Sequence, residues 1–385
     1  MATMHPRGWL APRRRGDEVE DRTLTAANVP AGMLPSTPGG TTVTPNSALQ
    51  VADVWACVRA LSDAAASIPL IAYRRTSDGR QRADGALADL LRSPAPATTQ
   101  SALLGQVMAH LQLWGNSYLA KFRDADGRIE QLGLLHPERV IVELRAGRPV
   151  YTILDGRGGR SEHGTSDVLH VRAPLSIDGL TGLSPIRSCR TALGLAGNLA
   201  EHANEFFAAG GRPDGILKTG GGSQDALKAL RETWHQTRQK NKGRGIAVVS
   251  GEVSFEAITG PLDDLQFVEQ RQMSTQEVCR VFRIPPWMVG ASDNNSMTYS
   301  NTESQALAFV TFSLRPWLVT IERAITADSD LCRGSLYVEF LLDALLRADS
   351  KTRADVYALA LDAERGWMTR REVRRLENLE PEGTA

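Results

Sequence analysis

The pattern of apolar and polar positions is most distinctive in the second half of the chain, where two helical patterns flank one polar segment. The first pattern repeats apolar residues at three- and four-residue steps and predicts a helix over residues 261–284. Its apolar positions are Leu262, Leu265, Val268, Cys279 and Phe282. Pro285 and Pro286 then end the helix, because proline lacks the backbone donor and disfavours helical angles at the residue before it.

The second helical pattern covers residues 302–326 and begins with a capping signal. Asn301 or Thr302 can serve as the N-cap, and Thr302 with Gln305 has the spacing of a capping box. Pro316 lies inside the pattern. Since a proline in a helix interior removes a hydrogen bond, it predicts a long helix that is kinked.

Between the two helices, residues 285–301 are expected to form a loop of small and mostly uncharged side chains, with Asp293 as the one charge. The centre of the loop contains Asn294, Asn295, Ser296, Met297 and Thr298. Connections of this length are usually either functional or disordered. Composition alone leaves both a functional loop and a plain surface loop open.

The remaining elements predict an α+β fold. Residues 1–46 are rich in Pro, Gly, Thr and Arg without periodicity, which predicts a disordered arm. Over residues 47–184, helices mix with mostly antiparallel strands, and the strand SLYVEF within 327–345 can pair back with them. A helix over 185–209 follows, with Ser184 as its N-cap.

Residues 210–260 predict a compact α/β insert. GILKT is expected to form a strand, SQDALKALRETWHQTRQ a helix, and GIAVVSG with VSFEAIT a β-hairpin. The turn before the hairpin has no acid, and its basic residues are Arg238, Lys240, Lys242 and Arg244. Such a charge run is usually solvated, but it can also face an anion or a partner protein. Residues 346–385 predict two closing helices, with Thr369 and Glu372 as a capping box.

Composition narrows the class of protein. Among 385 residues, 42% are hydrophobic and 23% are charged, as in ordinary soluble globular proteins. The 44 basic and 44 acidic residues balance, so any contact with a nucleic acid has to be local. The four cysteines lie far apart within apolar patterns and are expected to be buried thiols of a reducing compartment. With no apolar run near the ~20 residues of a membrane span, and no signal peptide, we expect no membrane partner.

A search for catalytic chemistry finds almost nothing. The chain has no GxxxxGK[ST] phosphate loop, no HExxH pair and no CxxC motif. The adjacent Asp263 and Asp264 are better explained by the positive end of a helix dipole than by acid–base catalysis. We therefore expect no enzyme, no catalytic residues, no metal and no cofactor.

Eight short motifs, taken in order, resemble the portal proteins of tailed bacteriophages. They are VWACV (54–58), SIPL (67–70), GNSY (115–118), DVLH (167–170), GLSPI (182–186), PPWMVG (285–290), YSNTESQ (299–305) and LRPW (314–317). Each motif alone is weak, but their order and spacing extend the resemblance over residues 45–381.

The resemblance implies a homo-oligomeric ring, usually a dodecamer, at the portal vertex of the virion, with assembly in the host cytoplasm. Double-stranded DNA would pass through its channel without sequence preference during packaging and ejection. The terminase large subunit, the major capsid protein and a head–tail adaptor would be its partners. In this scheme the chain divides into a wing (47–184 with 327–345), two stem helices (185–209 and 261–284), a clip (210–260), a tunnel loop (285–301), a long kinked helix (302–326) and a crown (346–385).

The resemblance also suggests roles for individual residues. Asn294 to Thr298 would face DNA, and the basic turn of the insert would meet the motor or the adaptor. Five residues would support the loop and the adjoining helix: Tyr299, Asn301, Thr302, Pro285 and Pro286. Two other classes remain open, namely a nucleic-acid-processing enzyme with the loop as a lid, and a scaffold protein without a channel.

Overall fold

The computed structural model describes residues 42–77, 79–156, 158–208, 215–219, 228, 232, 253–257, 264–291, 299–342, 356–362 and 366–376. Its helices are α1 (Pro45–Ala48), α2 (Ala52–Ser67), α3 (Ala86–Arg92), α4 (Gln100–Trp114), α5 (Pro185–Ser188), α6 (Arg190–Ala208), α7 (Asp264–Phe282), α8 (Tyr299–Ala308), α9 (Arg315–Ala327) and α10 (Arg370–Leu376). Its strands are β1 (Leu70–Thr76), β2 (Gly79–Arg82), β3 (Asn116–Arg123), β4 (Ile129–Leu135), β5 (Val140–Arg145), β6 (Arg148–Leu154), β7 (Arg160–His163), β8 (Val168–Arg172), β9 (Gly215–Thr219), β10 (Val253–Ala257) and β11 (Leu336–Phe340). Short 3₁₀ turns cover Pro137–Arg139 and Pro286–Val289, and a π-helical segment covers Phe309–Leu314.

The strands form small antiparallel sheets, with orders β11-β1-β2, β4-β3-β8 and β5-β6-β7, and a separate pair of β9 with β10. The strand predicted to return to the first domain does so, since Leu70 of β1 lies opposite Phe340 of β11. The predicted hairpin of GIAVVSG with VSFEAIT stays a prediction. VSFEA pairs with GILKT, Val253 lying opposite Thr219, while GIAVVSG lies outside the described residues. Together with the helices, these sheets confirm the α+β class.

The main hydrophobic core lies where α2 packs against α4 and α7, and where α9 packs against β8 and β11. The predicted apolar face of α2 is buried at Val54, Cys57, Val58 and Leu61. These positions recur at three- and four-residue steps, so one side of the helix meets the core continuously. Because α7 also packs against α6, the predicted pair of stem helices is in contact within the chain.

The folded part of the chain begins earlier than the pattern predicted. Val43 is buried, and Thr44 caps α1 through a reciprocal capping box with Ser47. Residues 42–46 therefore belong to the fold and not to the arm predicted over 1–46, because Val43 adds apolar surface to the main core. Residues 1–41 lie outside the described residues.

Two predictions about helix ends have different outcomes. The helix predicted over 185–209 is interrupted at Cys189, which separates α5 from α6, although Ser184 caps α5 as predicted by accepting from Arg187 N at 3.2 Å. The capping box of the closing helix is confirmed. Thr369 N donates to Glu372 Oε2 at 2.8 Å, and Glu372 N donates to Thr369 Oγ1 at 3.3 Å.

A buried ion pair ties the central sheet to the connection between α9 and β11. The Lys121 side chain of β3 is only 1% exposed, and its Nζ lies 2.6 Å from Asp328 Oδ2 and 2.8 Å from the Thr165 carbonyl oxygen. Asp330 lies 3.5 Å from the same ammonium and 2.8 Å from Arg123. With carboxylates and a carbonyl oxygen as acceptors, the charge of Lys121 is compensated inside the fold.

Candidate functional site

The polar loop begins at the C-terminal end of α7, which closes with a Schellman motif. Ile284 N donates to Cys279 O at 2.9 Å, and Arg283 N donates to Arg280 O at 3.2 Å. Arg283 has a φ of 56°, so an arginine occupies the left-handed position that usually carries glycine. The helix therefore ends at Phe282, earlier than the prolines alone predicted.

Pro285 and Pro286 set the direction of the chain after the helix. Pro285 is extended, with φ −60° and ψ 132°, and Pro286 opens the 3₁₀ turn that continues to Val289. The turn closes when Ala291 N donates to Pro286 O at 3.1 Å, with Gly290 in the left-handed region. Because Val289 packs against the main core, this end of the loop is anchored in it.

The far end of the loop joins α8, which already includes Tyr299. Asn301 and Thr302 consequently lie inside the first turn of the helix, which corrects their predicted role as N-caps. Their side chains lie outside the described residues, as does that of Tyr299. Regular structure on both sides also shortens the loop predicted over 285–301, because the 3₁₀ turn and α8 take up its two ends.

The long helix predicted over 302–326 contains a π-helical segment just before Pro316, and the kink expected there stays a prediction. At the end of this segment Arg315 N donates to Val310 O, a five-residue step in place of four. Pro316 has no N–H for the carbonyl of Phe312, so one α-helical hydrogen bond is missing next to this segment. The segment turns Ser313 towards Arg283, and the Ser313 hydroxyl donates to the Arg283 carbonyl oxygen. The chain just before the loop is thereby joined to the segment that follows α8.

The central loop residues lie outside the described residues, so the prediction that they face DNA stays a prediction. They are Asn294, Asn295, Ser296, Met297 and Thr298. The same holds for the basic turn of the insert, Arg238, Lys240, Lys242 and Arg244.

The base of the loop carries a positive feature that the sequence reasoning missed. Exposed Arg280 and Arg283 line an open groove with Gln276, Pro285 and Pro286, and no carboxylate is among its lining residues. The signal was present as two arginines three residues apart in the last helical turn before the prolines. Positive charge therefore adjoins the entry to a loop whose own centre is nearly neutral.

A second cluster joins the GNSY and GLSPI motifs. The Asn116 side chain is buried; its Nδ2 donates to Gly182 O at 3.0 Å and to Trp114 O at 3.1 Å, and its Oδ1 accepts from Gly182 N at 2.8 Å. Gly115, with φ 74°, and Gly182 approach so closely that a Cβ on either would clash with the other's backbone. We call these contacts the Asn116 clamp.

His170 completes the Asn116 clamp. Burial lowers the pKa of His170 to about 3, so the imidazole is neutral at physiological pH. Its Nε2 lies 2.9 Å from Asn116 Oδ1, an oxygen that can only accept, and Nε2 therefore carries the proton. The DVLH motif thus meets the other two motifs at one point of the fold.

The described part of the chain offers no constellation typical of a metal site. It contains no group of three or more His, Cys, Asp or Glu side chains that could hold a metal ion. Among the described helices, none combines the length and the apolarity that crossing a membrane requires.

Comparison with known proteins decides the family. The family model for the phage portal protein matches residues 52–378. The chain belongs to the phage portal protein family. The probable portal protein of Streptomyces phage phiC31 is 31% identical over 362 residues, which cover 89% of this portal chain and 77% of the relative. The portal protein of Enterobacteria phage HK97 is 28% identical, covering 89% and 82%.

Solved structures show the same portal fold. A chain from the neck of a native gene transfer agent particle, computed with C12 symmetry, has a TM-score of 0.60 at 20% identity, covering 91% of the portal chain and 98% of its own. The HK97-family phage portal protein of Corynebacterium diphtheriae has a TM-score of 0.58 at 18% identity, with coverages of 78% and 96%. The resemblance expected from the sequence motifs is therefore confirmed.

Proposed function

We propose that copies of this chain form a closed ring at one vertex of a capsid and surround a channel through which double-stranded DNA is packaged and ejected. The match of the portal family model to residues 52–378 carries the proposal. The likeness to a neck chain in a particle computed with C12 symmetry favours a dodecamer in the virion. The ring would assemble in the host cytoplasm before it is built into the capsid.

In this proposal the polar loop lines the channel. Rings of asparagine, serine and threonine side chains can exchange hydrogen bonds with phosphate oxygens without sequence preference. Lysines at the same positions would bind phosphates and release counterions, giving tight and salt-dependent binding that opposes movement. The hydrogen bond from Ser313 to the Arg283 carbonyl oxygen is a tether that ties the end of the helix before the loop to the segment after α8.

The remaining segments keep their expected assignments in the proposal. The wing comprises 47–184 with 327–345, the stem contains α6 and α7, and the insert over 210–260 forms the clip. The crown follows from residue 346. The clip would meet the terminase large subunit and then the head–tail adaptor through its basic turn, while the wing would face the major capsid protein.

Ring formation is tested first. Mass photometry and negative-stain electron microscopy of the purified chain should show rings with a central hole, at a mass near twelve times 41.8 kDa. A chain that stays monomeric at micromolar concentration, or a ring with residues 294–298 on its outer rim, would overturn the proposal. Incubation with DNA, ATP and a divalent metal should leave both substrates intact, since hydrolysis would favour an enzyme.

The role of the loop is tested by its charge. Asn294→Lys with Asn295→Lys should still form rings but package shorter DNA, and the defect should weaken as salt is raised. Asn294→Ser with Asn295→Ser is the matched control, because it keeps neutral hydrogen-bonding groups and should package normally. If the lysine variant packages DNA of wild-type length at every salt concentration, residues 294 and 295 do not lie on the channel surface.

The clip is tested by reversing its charge. Lys240→Glu with Lys242→Glu and Arg244→Glu should leave rings intact and weaken binding of the terminase large subunit or the adaptor. Charge pairs at an interface chiefly affect association rates, so the binding rate should fall most at low salt. A chain that no longer forms rings would place these residues between subunits instead.

A further inference from the structure

The connection between β8 and α5 is a rigid loop. Leu183 N donates to Leu175 O at 2.8 Å and closes it. Inside, Asp178 Oδ1 accepts from Thr181 N and Asp178 Oδ2 from the Thr181 hydroxyl, both at 2.8 Å, while the Ser176 hydroxyl donates to Thr181 O at 2.6 Å. The Asn116 clamp holds its C-terminal end. These bonds fix the loop before any partner arrives, so little ordering entropy remains to be lost on binding.

The rigid loop displays two aliphatic side chains to solvent. Leu175 is 71% exposed and Ile177 is 86% exposed. Exposed aliphatic residues are common, but two on one internally hydrogen-bonded loop form a fixed apolar projection. We call Leu175 and Ile177 the aliphatic knob.

Two arginines without an acidic partner lie on the helices that follow this loop. Arg187 of α5 and Arg190 of α6 are both half-buried, and no carboxylate among the described residues forms an ion pair with either. Burial and the nearby charge of Arg190 lower the pKa of Arg187. Two partly desolvated like charges of this kind are stabilised by an anionic group from outside the chain.

A complementary stripe lies on α7. Glu269, Met273 and Glu277 follow at four-residue steps along one side of the helix, where Glu269 and Met273 are exposed and Glu277 is half-buried. Met273 is 65% exposed, and neither glutamate forms an ion pair with another described residue.

The acidic part of this side of the helix ends at Glu277, because the basic residue Arg280 lies on the same side one turn later. The acidic stripe is therefore the segment from 269 to 277. It offers one flexible apolar side chain between two carboxylates.

We propose that the aliphatic knob with Arg187 and Arg190 docks on the acidic stripe of α7 in a second copy of this chain. The inference rests on the proposed ring. A ring needs two different complementary surfaces on each subunit, one meeting the other around the circle. The knob argues against DNA as the occupant, because a phosphate backbone offers nothing to two aliphatic side chains. The arginines beside the knob and the glutamates of the stripe have opposite charges, and both surfaces carry exposed apolar side chains. This complementarity favours another copy of the chain over a different partner.

The proposal is tested with two one-sided variants. Arg187→Glu with Arg190→Glu reverses the knob side, and Glu269→Arg with Glu277→Arg reverses the stripe side. Each chain alone should fail to form rings at concentrations where wild type does. Mixed in equal amounts they should assemble, because every interface of an alternating ring then pairs opposite charges. Native mass spectrometry would show equal numbers of the two chains in each ring.

A change at the aliphatic side of the proposed contact covers the case in which Arg187, being half-buried, affects folding. Ile177→Asp changes a side chain that is 86% exposed, and should raise the chain concentration needed for half-assembly at least about tenfold. Leu144→Asp is the matched control, because Leu144 is 61% exposed on β5, outside the proposed contact, and should assemble as wild type does. Circular dichroism should be unchanged in both.

The outcomes separate the two proposals. If wild type forms no ring, the proposed function fails. If wild type forms rings and Ile177→Asp does too, at the same concentration, the inference fails alone. If Ile177→Asp forms rings but enters fewer capsids, the knob meets the capsid protein. If rings form but lose DNA affinity in Arg187→Glu with Arg190→Glu, the arginines face DNA. The last two results would also overturn the inference.

Discussion

Replacing Asn116 by alanine should be among the most damaging single changes in the described part of the chain. The Asn116 side chain is 1% exposed and takes part in four hydrogen bonds, two as donor and two as acceptor. Alanine would leave the Gly182 N–H, the Gly182 carbonyl and the His170 Nε2–H without this partner. All three groups are in the interior at the junction of β3, β8 and α5.

The magnitude follows from the number of orphaned groups. A buried polar group without a partner costs about 1–3 kcal/mol, so three of them should lower the free energy of unfolding by about 3–9 kcal/mol. The total free energy of unfolding of a typical domain is only about 5–15 kcal/mol. The same change should free the aliphatic knob, because the clamp holds the end of its loop, and ring assembly should weaken together with stability.

Urea unfolding followed by circular dichroism measures the effect. Ser101→Ala is the matched control. It removes an exposed hydrogen bond of 2.7 Å from a side chain to the Ala66 carbonyl oxygen, and should cost less than about 1 kcal/mol. If Asn116→Ala lowers the free energy of unfolding by as little as Ser101→Ala does, water replaces the lost hydrogen bonds. The clamp would then not hold the loop.

Asn116→Asp refines the test through pH. The carboxylate keeps both acceptor roles but turns a second oxygen towards the carbonyls of Trp114 and Gly182, so it should be destabilised at neutral pH. That environment raises the pKa of the introduced carboxyl in the folded state. The penalty should therefore shrink as pH falls from 7 to about 4, where the protonated group can donate. A penalty that is independent of pH would contradict the donor role of Asn116 Nδ2.

Three further predictions concern stability. Asp328→Ala should lower the free energy of unfolding by about 3–5 kcal/mol, since it removes the nearest partner of buried Lys121. In a double-mutant cycle, Asp328→Ala combined with Lys121→Met should cost less than the sum of the two single changes. Partial burial alone would raise the pKa of Asp330, but the hydrogen bond from Arg123 and the charge of Lys121 hold it below its ordinary 3.8. The stability that Asp330 contributes should be complete above that value and be lost as pH falls through the folded pKa, so Asp330→Asn should flatten the acid side of a pH–stability curve. Arg283→Gly should stabilise the chain by about 0.5–1 kcal/mol and Arg283→Val should destabilise it, as measured by urea midpoints, because Arg283 has φ 56°.

Local signals predicted many of the elements correctly. The apolar face of α2 and the caps at Ser184 and Thr369 depend on residues within one or two helical turns, so a short window of sequence contains the whole cause. The interruption at Cys189 was not foreseen, since the helical pattern continues through it. The pairing of VSFEA with GILKT joins segments more than thirty residues apart, and nothing in either strand specifies its partner.

The ends of the polar loop were only partly predictable. The two prolines correctly indicated that α7 stops, but the left-handed residue is an arginine where the usual signal is glycine. The hydrogen bond from Ser313 to the Arg283 carbonyl is a tertiary contact across the loop and leaves no trace in either local sequence. Asn301 and Thr302 have good capping chemistry, yet α8 includes Tyr299, so a suitable side chain did not determine where the helix begins.

The tether between Arg283 and Ser313 separates the chemistry of the loop from the stability of the fold. Val289 packs against the main core before residues 292–298, and Phe309 is buried in that core beyond α8, so the core is formed by residues on both sides of the loop centre. Substitutions at Asn294 and Asn295 should therefore leave the unfolding free energy nearly unchanged, while Ser313→Ala should lower it by about 1 kcal/mol. Since folding and transport then respond to different residues, a packaging defect in Asn294→Lys with Asn295→Lys can be assigned to contact with DNA.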